Sequence, residues 1–401
     1  MRRGPATKVL IVGGSGRIGA ACASLLARDK LVSELILGAR NLGLARKVAK
    51  DVGRKATAVR VDAADEGRLA TLANRVDLIV NSAGPDFRVA LPVARAAIEA
   101  GVDCVDISAD GGTVEKLLAL DNRAKRSGVT LITGIGHTPG LTNLMMGYAA
   151  RNLDRTMDLR ACVWWDLSRE AGLFGNLAEM RKSGRISASW QQIFAWVTSK
   201  VRWYRRGRLV HINPFEEMRL VTLPTGQVVT AVPIGSTEPI TLPRQLLGLR
   251  SASIFMGLHP PQLWELLQTH AARIAEGAVD HAAGTLGFLE ELAWNPRKWL
   301  RSRTRVPSTF GMVAFAAGPK AGARIRHACW PSGPWESTVG PLTVAALRVL
   351  RGEVPSPGVL SPEKAFPPMP FLREAAAYGP APPRTARIVK ESEKVVAKYA
   401  D

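Results

Sequence analysis

Short apolar runs alternate with helical patterns over the first third of the chain. Each run is five or six residues long, and the stretch after it has small and apolar residues every three or four positions. The runs predict six strands, at residues 8–13, 34–38, 56–61, 77–81, 103–107 and 129–133. The intervening stretches predict helices at residues 18–27, 42–52, 66–74, 89–100 and 113–127. Such alternation is typical of the α/β class with a doubly wound parallel sheet.

The regular alternation ends near residue 145. Strand-like pieces at 159–165 and 228–233 are separated by long amphipathic stretches, which indicates an α+β domain. The clearest helical face there consists of Ile186, Trp190, Ile193, Phe194, Val197, Val201 and Tyr204. Frequent prolines over residues 355–370 predict an extended linker, and the charged stretch 385–399 predicts a terminal helix.

A glycine-rich loop follows the first predicted strand. Gly14-Ser15-Gly16-Arg17-Ile18-Gly19 has the GxGxxG spacing, and it opens a predicted helix at the head of five further strand–helix units, as the motif requires. We assign Gly14 to the tight turn, Gly16 to the approach of a pyrophosphate and Gly19 to the packing of helix on strand. The helix N-terminus offers free N–H groups to an anion. The loop therefore predicts a dinucleotide site, the alternative being a purely structural turn. Its cofactor-binding residues are Gly14, Ser15, Gly16, Arg17 and Ile18.

The residues after the second and third predicted strands bear on which dinucleotide binds. A NAD site has Asp or Glu after the second strand to hold the ribose 2′-hydroxyl, whereas this chain has Gly38-Ala39-Arg40-Asn41. A guanidinium can bind a 2′-phosphate through paired hydrogen bonds, so Arg40 favours NADP over NAD, unless it is an ordinary surface arginine. Asp62, after the third strand, either accepts a hydrogen bond from the adenine amino group or caps the next helix.

Three more loops follow strands at the same carboxyl edge, where open α/β sheets bind their ligands. Ala83-Gly84-Pro85 follows the fourth strand and either lies close to the nicotinamide ribose or forms a plain connection. His137 follows the sixth strand, and its near-neutral titration makes it a candidate for proton exchange with the substrate or a structural hydrogen-bonded residue. Asp106 ends the fifth strand and is a candidate acid/base, an orienting group or a turn cap.

The composition adds a large excess of positive charge. The 401 residues include 54 Lys and Arg against 34 Asp and Glu, a net charge of +20. Residues 181–215 and 292–335 each contain eight Lys or Arg and no acid, and together they hold seven of the ten tryptophans. We hypothesise peripheral contact with an anionic membrane through 186–208 and 294–305, the alternatives being a dimer interface, a substrate lid or a solvated basic face. The lack of a recognisable nucleic-acid-binding module argues against nucleic acid as the partner.

The cysteines and the N-terminal sequence indicate the compartment. Cys22, Cys104, Cys162 and Cys329 lie far apart without a CxxC or Cys/His cluster, so we expect neither a metal site nor a disulfide framework. Met1–Pro5 is not followed by the apolar core of a signal peptide, and no run of about 18 apolar residues occurs. We therefore expect a cytoplasmic protein.

Taken together, these motifs resemble the saccharopine dehydrogenase-like family of NADP(H) oxidoreductases. The matching stretches are 9–19, 37–40, 83–85, 105–108, 136–143, 338–350, 357–359 and 362–363. The resemblance implies a Rossmann domain at 1–145, an inserted α+β substrate and dimerisation domain at 146–335, and a return to the first domain with a tail at 336–401. It also implies NADP as the cofactor, a small-molecule substrate and a homodimer.

The resemblance also suggests the reaction. Better-known members of the family form or break secondary amines that join an amino acid or polyamine to a keto acid or aldehyde. This chain departs from them at His137, where an acidic residue is common, and its positive charge suits a cationic polyamine poorly. Our first hypothesis is an NADPH-dependent enzyme that transfers hydride to or from a C=N or C=O carbon. The second is a sensor or scaffold that binds NADP(H) without turnover, because the sequence has no Tyr-x-x-x-Lys acid/base motif.

Overall fold

The computed structural model describes residues 7–169, 186–223, 228–301, 310–319, 324–329, 335–377 and 389–391, with 178, 180 and 333 as single positions. These residues fall into two units. The first unit lies within Met1–Leu144 and Pro334–Arg384, and the second within Met145–Gly333 and Thr385–Asp401.

The first unit is built on a parallel sheet of seven strands. They are β1 (Thr7–Val12), β2 (Val32–Ala39), β3 (Ala56–Arg60), β4 (Leu78–Asn81), β5 (Asp103–Asp106), β6 (Thr130–Thr133) and β15 (Gly358–Leu360). They pair in the order β15-β6-β5-β4-β1-β2-β3. The six strands predicted from apolar runs are all present, each bound lying within two residues of its predicted place. The doubly wound α/β class is confirmed.

Helices flank this sheet. They are α1 (Arg17–Leu26), α2 (Leu42–Val52), α3 (Glu66–Ala73), α4 (Asp86–Ala100), α5 (Gly111–Leu118), α6 (Asp121–Arg126), α13 (Glu336–Leu350), α14 (Pro362–Ala365) and α15 (Pro368–Ala377). Helix α7 (Leu141–Ala150) begins in the first unit and continues into the second. The single helix predicted at 113–127 is in fact α5 followed by α6. The extended linker predicted at 355–370 is wrong, because that stretch forms β15, α14 and the start of α15. Pro362 begins α14 and Pro368 begins α15. Proline is tolerated at these positions because an N–H in the first turn of a helix has no acceptor within the helix.

Burial on both faces explains the apolar strands of this sheet. In β1, Val9, Leu10 and Ile11 are completely buried. One face packs with α3 and α4 in a continuous apolar cluster. Because both faces are covered, these strands appear in the sequence as unbroken apolar runs.

The second unit is built on a mostly antiparallel sheet. Its strands are β7 (Asp158–Asp166), β8 (Val201–Arg205), β9 (Arg208–Ile212), β10 (Arg219–Thr222), β11 (Val228–Pro233), β12 (Ser251–His259), β13 (Phe310–Ala317), β14 (Arg324–Cys329) and β16 (Val389–Glu391). They pair in the order β10-β11-β12-β7-β13-β14-β16, and β8 pairs with β12 and β9. Only the β7–β12 pair is parallel among the described strands of this sheet. The terminal helix predicted at 385–399 is wrong at 389–391, which is β16, and otherwise lies outside the described residues.

The helices of the second unit include only part of the helical, tryptophan-rich segment predicted at residues 186–204. They are α8 (Ala188–Thr198), α9 (Glu238–Thr241), α10 (Leu263–Ala275), α11 (His281–Trp294) and α12 (Pro296–Trp299). The helical face predicted from Ile186 to Tyr204 is wrong beyond α8, because the chain continues as the β8–β9 hairpin. Trp190, Trp196 and Trp203 are 5%, 7% and 4% exposed, so they belong to the core and not to an interfacial helix.

The second basic stretch, predicted at 294–305, is only partly described. Trp294 ends α11 and is 74% exposed, whereas Trp299 in α12 is 4% exposed. Residues 302–309 and Trp330 lie outside the described residues. Across the parts of the chain that the structure describes, none of the helices combines the length and apolar character needed to cross a bilayer.

Candidate functional site

The order of strands changes direction at β1 in the first unit. Strand β1 lies between β2, which follows it in the chain, and β4. The loops that leave β1 and β4 therefore meet at the carboxyl edge of the sheet, the place where open α/β sheets bind ligands. Residues 13–16 form the first of these loops, and residues 82–85 form the second.

The glycine loop after β1 is held tightly against β2. The N–H groups of Gly13 and Gly14 both donate to Gly38 O, at 2.9 and 3.1 Å. The left-handed backbone lies at Gly13, with φ of 84°, and not at Gly14 as the motif suggests. Gly14 is needed for another reason, because a Cβ there would lie 2.9 Å from Leu37 Cβ. Gly19 has its predicted role, since a Cβ there would lie 2.4 Å from Gly13 O and prevent α1 from packing on the loop.

The N-terminus of α1 is open to solvent. The helix begins at Arg17, and Gly16 caps it without any side-chain hydrogen bond. Gly16 and Arg17 are exposed, while Ser15 and Ile18 are half-buried. A Cβ at Gly16 would meet only Gly13 O within 4 Å, which leaves space above the loop. Uncapped N–H groups beside such a space are suited to an anionic group.

Arg40 and Asp62 follow β2 and β3 at the same edge. Arg40 is exposed, and no described carboxylate forms an ion pair with it. Asp62 is also exposed, and its Oδ1 accepts the N–H of Ala64 at 3.0 Å. Of its two predicted roles, helix capping belongs instead to Asp65, which accepts the N–H of Arg68 at 3.0 Å. An adenine contact for Asp62 stays a prediction.

A buried carboxylate joins the ends of three neighbouring strands. Asp106, 3% exposed, accepts hydrogen bonds from Asn81 Nδ2 at 2.7 Å, Ser108 N at 2.9 Å and Thr133 Oγ1 at 3.2 Å. Asn81 Oδ1 in turn accepts the N–H of Ala83 at 3.2 Å. Burial raises the pKa of Asp106, and the hydrogen bonds oppose that rise. The geometry fits the orienting role among those predicted for Asp106, because it fixes the start of the Ala83-Gly84-Pro85 loop.

A second carboxylate, Asp86, ties this loop to the next. It lies in the first turn of α4, and its Oδ2 accepts the N–H groups of Ala109 and Asp110 at 2.6 and 2.8 Å. Burial raises its pKa. Asp86 is not among the site residues predicted from the sequence. An acid directly after Gly84-Pro85 and at the start of a helix was the available signal.

His137 lies in a strongly constrained loop after β6. Gly140 has φ of 121°, and a Cβ there would lie 2.2 Å from Gly136 O, so only glycine fits. His137 Nδ1 lies 3.0 Å from Thr338 Oγ1. Burial lowers the pKa of the ring to about 4, which makes His137 neutral at pH 7.

The start of α13 completes this edge of the first unit. Thr338 contacts His137, and Trp335 lies beneath the Arg17 guanidinium, with 4.5 Å from Arg17 Cζ to the ring centroid. Residues 338–350 are predicted only through the family resemblance, and Trp335 is part of the basic stretch 292–335. No local pattern predicts these contacts, because 201 positions separate Thr338 from His137. Trp335 and Arg17 are still further apart in the chain.

These residues fit a nicotinamide dinucleotide. The uncapped helix end and the space above Gly16 suit a pyrophosphate. Arg40 is exposed at the position that contacts the adenosine ribose in this class of fold. The predicted residues thus lie at one edge of one sheet, with Asp62 on its rim and Asp106 beneath the loops.

Known proteins share both the domain and the fold. Residues 9–132 match the family model described as the saccharopine dehydrogenase NADP binding domain. The apo, histidine-tagged, L-Glu-forming saccharopine dehydrogenase from Saccharomyces cerevisiae is similar with a TM-score of 0.62, at 14% identity over 92% of this chain and 97% of that chain. The amine dehydrogenase from Mycobacterium smegmatis has a TM-score of 0.47, at 14% identity over 90% of this chain and 96% of that chain.

One curated relative is similar in sequence over a short region. The "Lipid droplet localized protein" of Caenorhabditis elegans is 30% identical over 110 residues, which is 27% of this chain. The alignment spans 26% of that relative, about a quarter of its length. Residues 9–132 are therefore similar to the saccharopine dehydrogenase NADP binding domain, and the chain shares the fold of the yeast enzyme.

Proposed function

We propose that the protein is an NADPH-dependent oxidoreductase acting on a C=N or C=O carbon of a small molecule. The observation that carries the proposal is the open N-terminus of α1 above Gly16, at the same sheet edge as the constrained loop of His137. The fold shared with saccharopine dehydrogenase supports it. When bound, NADPH supplies the hydride.

The protein's own residues select and hold the cofactor. The N–H groups at the start of α1 bind the pyrophosphate, and Arg40 binds the 2′-phosphate, which favours NADPH over NADH. Ala83-Gly84-Pro85 is the loop that would contact the nicotinamide ribose of the bound cofactor. Asn81 and Asp106 fix this loop through the 2.7 Å hydrogen bond between their side chains.

His137 handles the proton in this proposal. His137 Nδ1 lies 3.0 Å from Thr338 Oγ1, and this contact orients the ring that exchanges a proton with the substrate. Because burial lowers the pKa of the ring to about 4, the resting ring is a proton acceptor. It takes a proton from an amine or alcohol during oxidation and returns it during reduction. Asp106 is a positioning residue, since its oxygens hold Asn81, Ser108 and Thr133.

A second candidate is an NADP(H) sensor or scaffold without turnover. The neutral state of His137 favours it, because a reductase operating at pH 7 needs a group that starts with a proton to give. Both candidates use the same cofactor site, so cofactor binding alone does not separate them.

A screen for NADPH oxidation separates the two candidates. Purified protein is tested against keto acids paired with amines, and against aldehydes and ketones, with absorbance at the NADPH band as the readout. The reductase proposal predicts substrate-dependent oxidation that His137→Asn reduces while NADPH affinity is kept. Tight NADPH binding without oxidation on either panel would favour the sensor.

We also propose a homodimer and a peripheral association with a lipid surface. The name of the nematode relative places that protein on lipid droplets, and the net charge of +20 favours attraction to anionic headgroups. The association is tested by co-sedimentation with vesicles, and dimerisation by light scattering. Neither proposal affects the assignment of the cofactor site.

A further inference from the structure

A turn of the second unit presents a leucine almost entirely to solvent. Leu247 is 95% exposed, more than any other large apolar side chain among the described residues. Leu242 and Leu249 on either side of it are buried, at 0% and 4%. The N–H of Leu249 donates to Leu246 O at 3.3 Å. The turn is thus anchored at both ends while its middle projects outward.

The β8–β9 hairpin lies beside this turn. The N–H of Gly207 donates to Arg250 O at 2.9 Å, and Arg205 pairs with Ser251 in the register of β8 with β12. Arg206 at the hairpin tip has φ of 53°, and it is the only non-glycine residue with positive φ among those described. Glycine or asparagine would adopt this conformation at lower energy. An arginine here points to a use for its charge.

Five arginines lie on the turn of Leu247 or on the chain segments next to it. Arg244 and Arg250 lie on its own turn, Arg206 and Arg208 on the hairpin, and a Cβ at Gly248 would lie 3.4 Å from Arg155 Nε. All five are exposed, and no described carboxylate forms an ion pair with any of them. The arginine–leucine surface is defined by Arg155, Arg206, Arg208, Arg244, Leu247 and Arg250.

Other arginines of this unit are neutralised. Arg205 and Arg219 both pair with Glu217, at 2.8 and 3.3 Å, and Arg160 pairs with Asp158 at 2.5 Å. The arginine–leucine surface therefore keeps a net positive potential that its neighbours lack. Asp154, next to Arg155 in the chain, is the acidic residue adjacent to this surface in sequence.

We propose that the arginine–leucine surface docks on an anionic lipid surface, with Leu247 entering the headgroup boundary and the arginines contacting lipid phosphates. This inference rests on the proposed peripheral association and names the surface responsible. A projecting apolar side chain surrounded by cations is the arrangement that an interfacial anchor needs. Duplex nucleic acid would match the charge and leave the leucine without an apolar environment. A two-fold contact between copies would set five arginines against five.

Co-sedimentation with vesicles tests the surface. Full-length protein is mixed with phosphatidylcholine vesicles with or without phosphatidylserine, at low and moderate salt. We expect sedimentation with the anionic vesicles alone and a decrease with salt. The double variant R206Q/R208Q should bind about 25-fold more weakly, since each cation near the surface contributes about fivefold. Leu247→Ser should weaken binding about tenfold.

Two matched variants control for charge and apolar exposure. K50Q/R54Q removes the same charge from exposed positions at the end of α2, and Leu220→Ser changes a leucine that is 62% exposed on β10. Both should bind vesicles as the wild type does. Circular dichroism and the thermal midpoint verify that each variant is folded.

Each outcome decides a separate statement. If the wild-type protein does not sediment with either vesicle, the lipid association itself is wrong. If it sediments and R206Q/R208Q and Leu247→Ser bind equally well, the association stands and this surface is not the contact. An equal loss with K50Q/R54Q would mean a general charge effect. Two other results would also overturn the proposal. One is binding to duplex DNA that R206Q/R208Q loses and Leu247→Ser keeps. The other is a dimer that Leu247→Ser disrupts while vesicle binding is unchanged.

Discussion

Replacing Asp106 by asparagine tests whether this carboxylate holds the Ala83 loop. In the wild type, Asp106 Oδ1 accepts from Ser108 N and Thr133 Oγ1, and Oδ2 accepts from Asn81 Nδ2. Asparagine keeps one oxygen for the first two donors and turns an amide NH₂ toward the Asn81 NH₂ group. Either the two donors face each other, or the Asn81 amide flips and its oxygen no longer accepts the Ala83 N–H.

The magnitude follows from burial and from the number of donors left unpaired. A buried donor without an acceptor costs about 1–3 kcal/mol, and a hydrogen bond to a charged group stabilises by about 1.5–3 kcal/mol against about 1 kcal/mol for a neutral one. Burial raises the pKa of Asp106, so a neutral side chain avoids part of the desolvation penalty. We therefore expect Asp106→Asn to lower the free energy of unfolding by about 1–3 kcal/mol.

A reciprocal exchange provides the control. In the double variant N81D/D106N, the amide introduced at position 106 would donate to one oxygen of the carboxylate introduced at position 81, and the other oxygen of that carboxylate would accept the Ala83 N–H. Urea denaturation and NADPH titration should show losses in D106N and recovery of both properties in the double variant. If D106N binds NADPH as the wild type does, or if the double variant is no better than D106N, the proposed link from Asp106 to the loop is wrong.

Two further predictions concern the glycine loop and the histidine. Gly19→Ala should lower the thermal midpoint strongly, because its Cβ would lie 2.4 Å from Gly13 O. Gly16→Ala, whose Cβ would lie 3.2 Å from the same atom, should weaken NADPH binding with little loss of stability. Equal thermal midpoints for the two variants would contradict this account. Burial lowers the folded-state pKa of His137 to about 4, against 6.5 in the unfolded chain. Its contribution to the free energy of unfolding should therefore be fully present well above pH 6.5 and fall by about 3 kcal/mol as the pH drops from 6.5 to 4. The difference in unfolding free energy between wild type and His137→Gln, measured across this pH range, checks the sign, and a difference that does not change with pH would refute it.

The sequence predicts the first unit well because its information is local. The inner strands β1, β4, β5 and β6 are covered on both faces, so a short apolar run suffices to place each of them. The glycine loop and Arg40 are likewise defined by their distance from such a strand. Gly13 shows the limit, because the motif assigns the tight turn to Gly14 whereas the left-handed backbone lies at Gly13.

The missed features depend on contacts between distant parts of the chain. Val201 and Tyr204 continue the helical spacing from Ile186. The buried Val201 and Trp203 also alternate with the less buried Arg202 and Tyr204, and pairing of β8 with β12 decides for a strand. Residues 358–360 look like part of a proline-rich linker until β15 pairs with β6. The Asn81–Asp106 hydrogen bond spans 25 residues, and no local spacing predicts it.

The direct test of the cofactor assignment is the effect of Arg40→Ala on NADPH and NADH binding. Isothermal titration of both nucleotides into wild type and variant isolates the 2′-phosphate, the only group by which the two ligands differ. Loss of a charge-assisted contact of about 1.5–3 kcal/mol should weaken NADPH roughly 10- to 150-fold and leave NADH within about twofold. K50Q, which removes one charge from the exposed end of α2, should change neither affinity. Equal weakening of both nucleotides by Arg40→Ala, or tighter binding of NADH by the wild type, would contradict an NADPH-dependent enzyme.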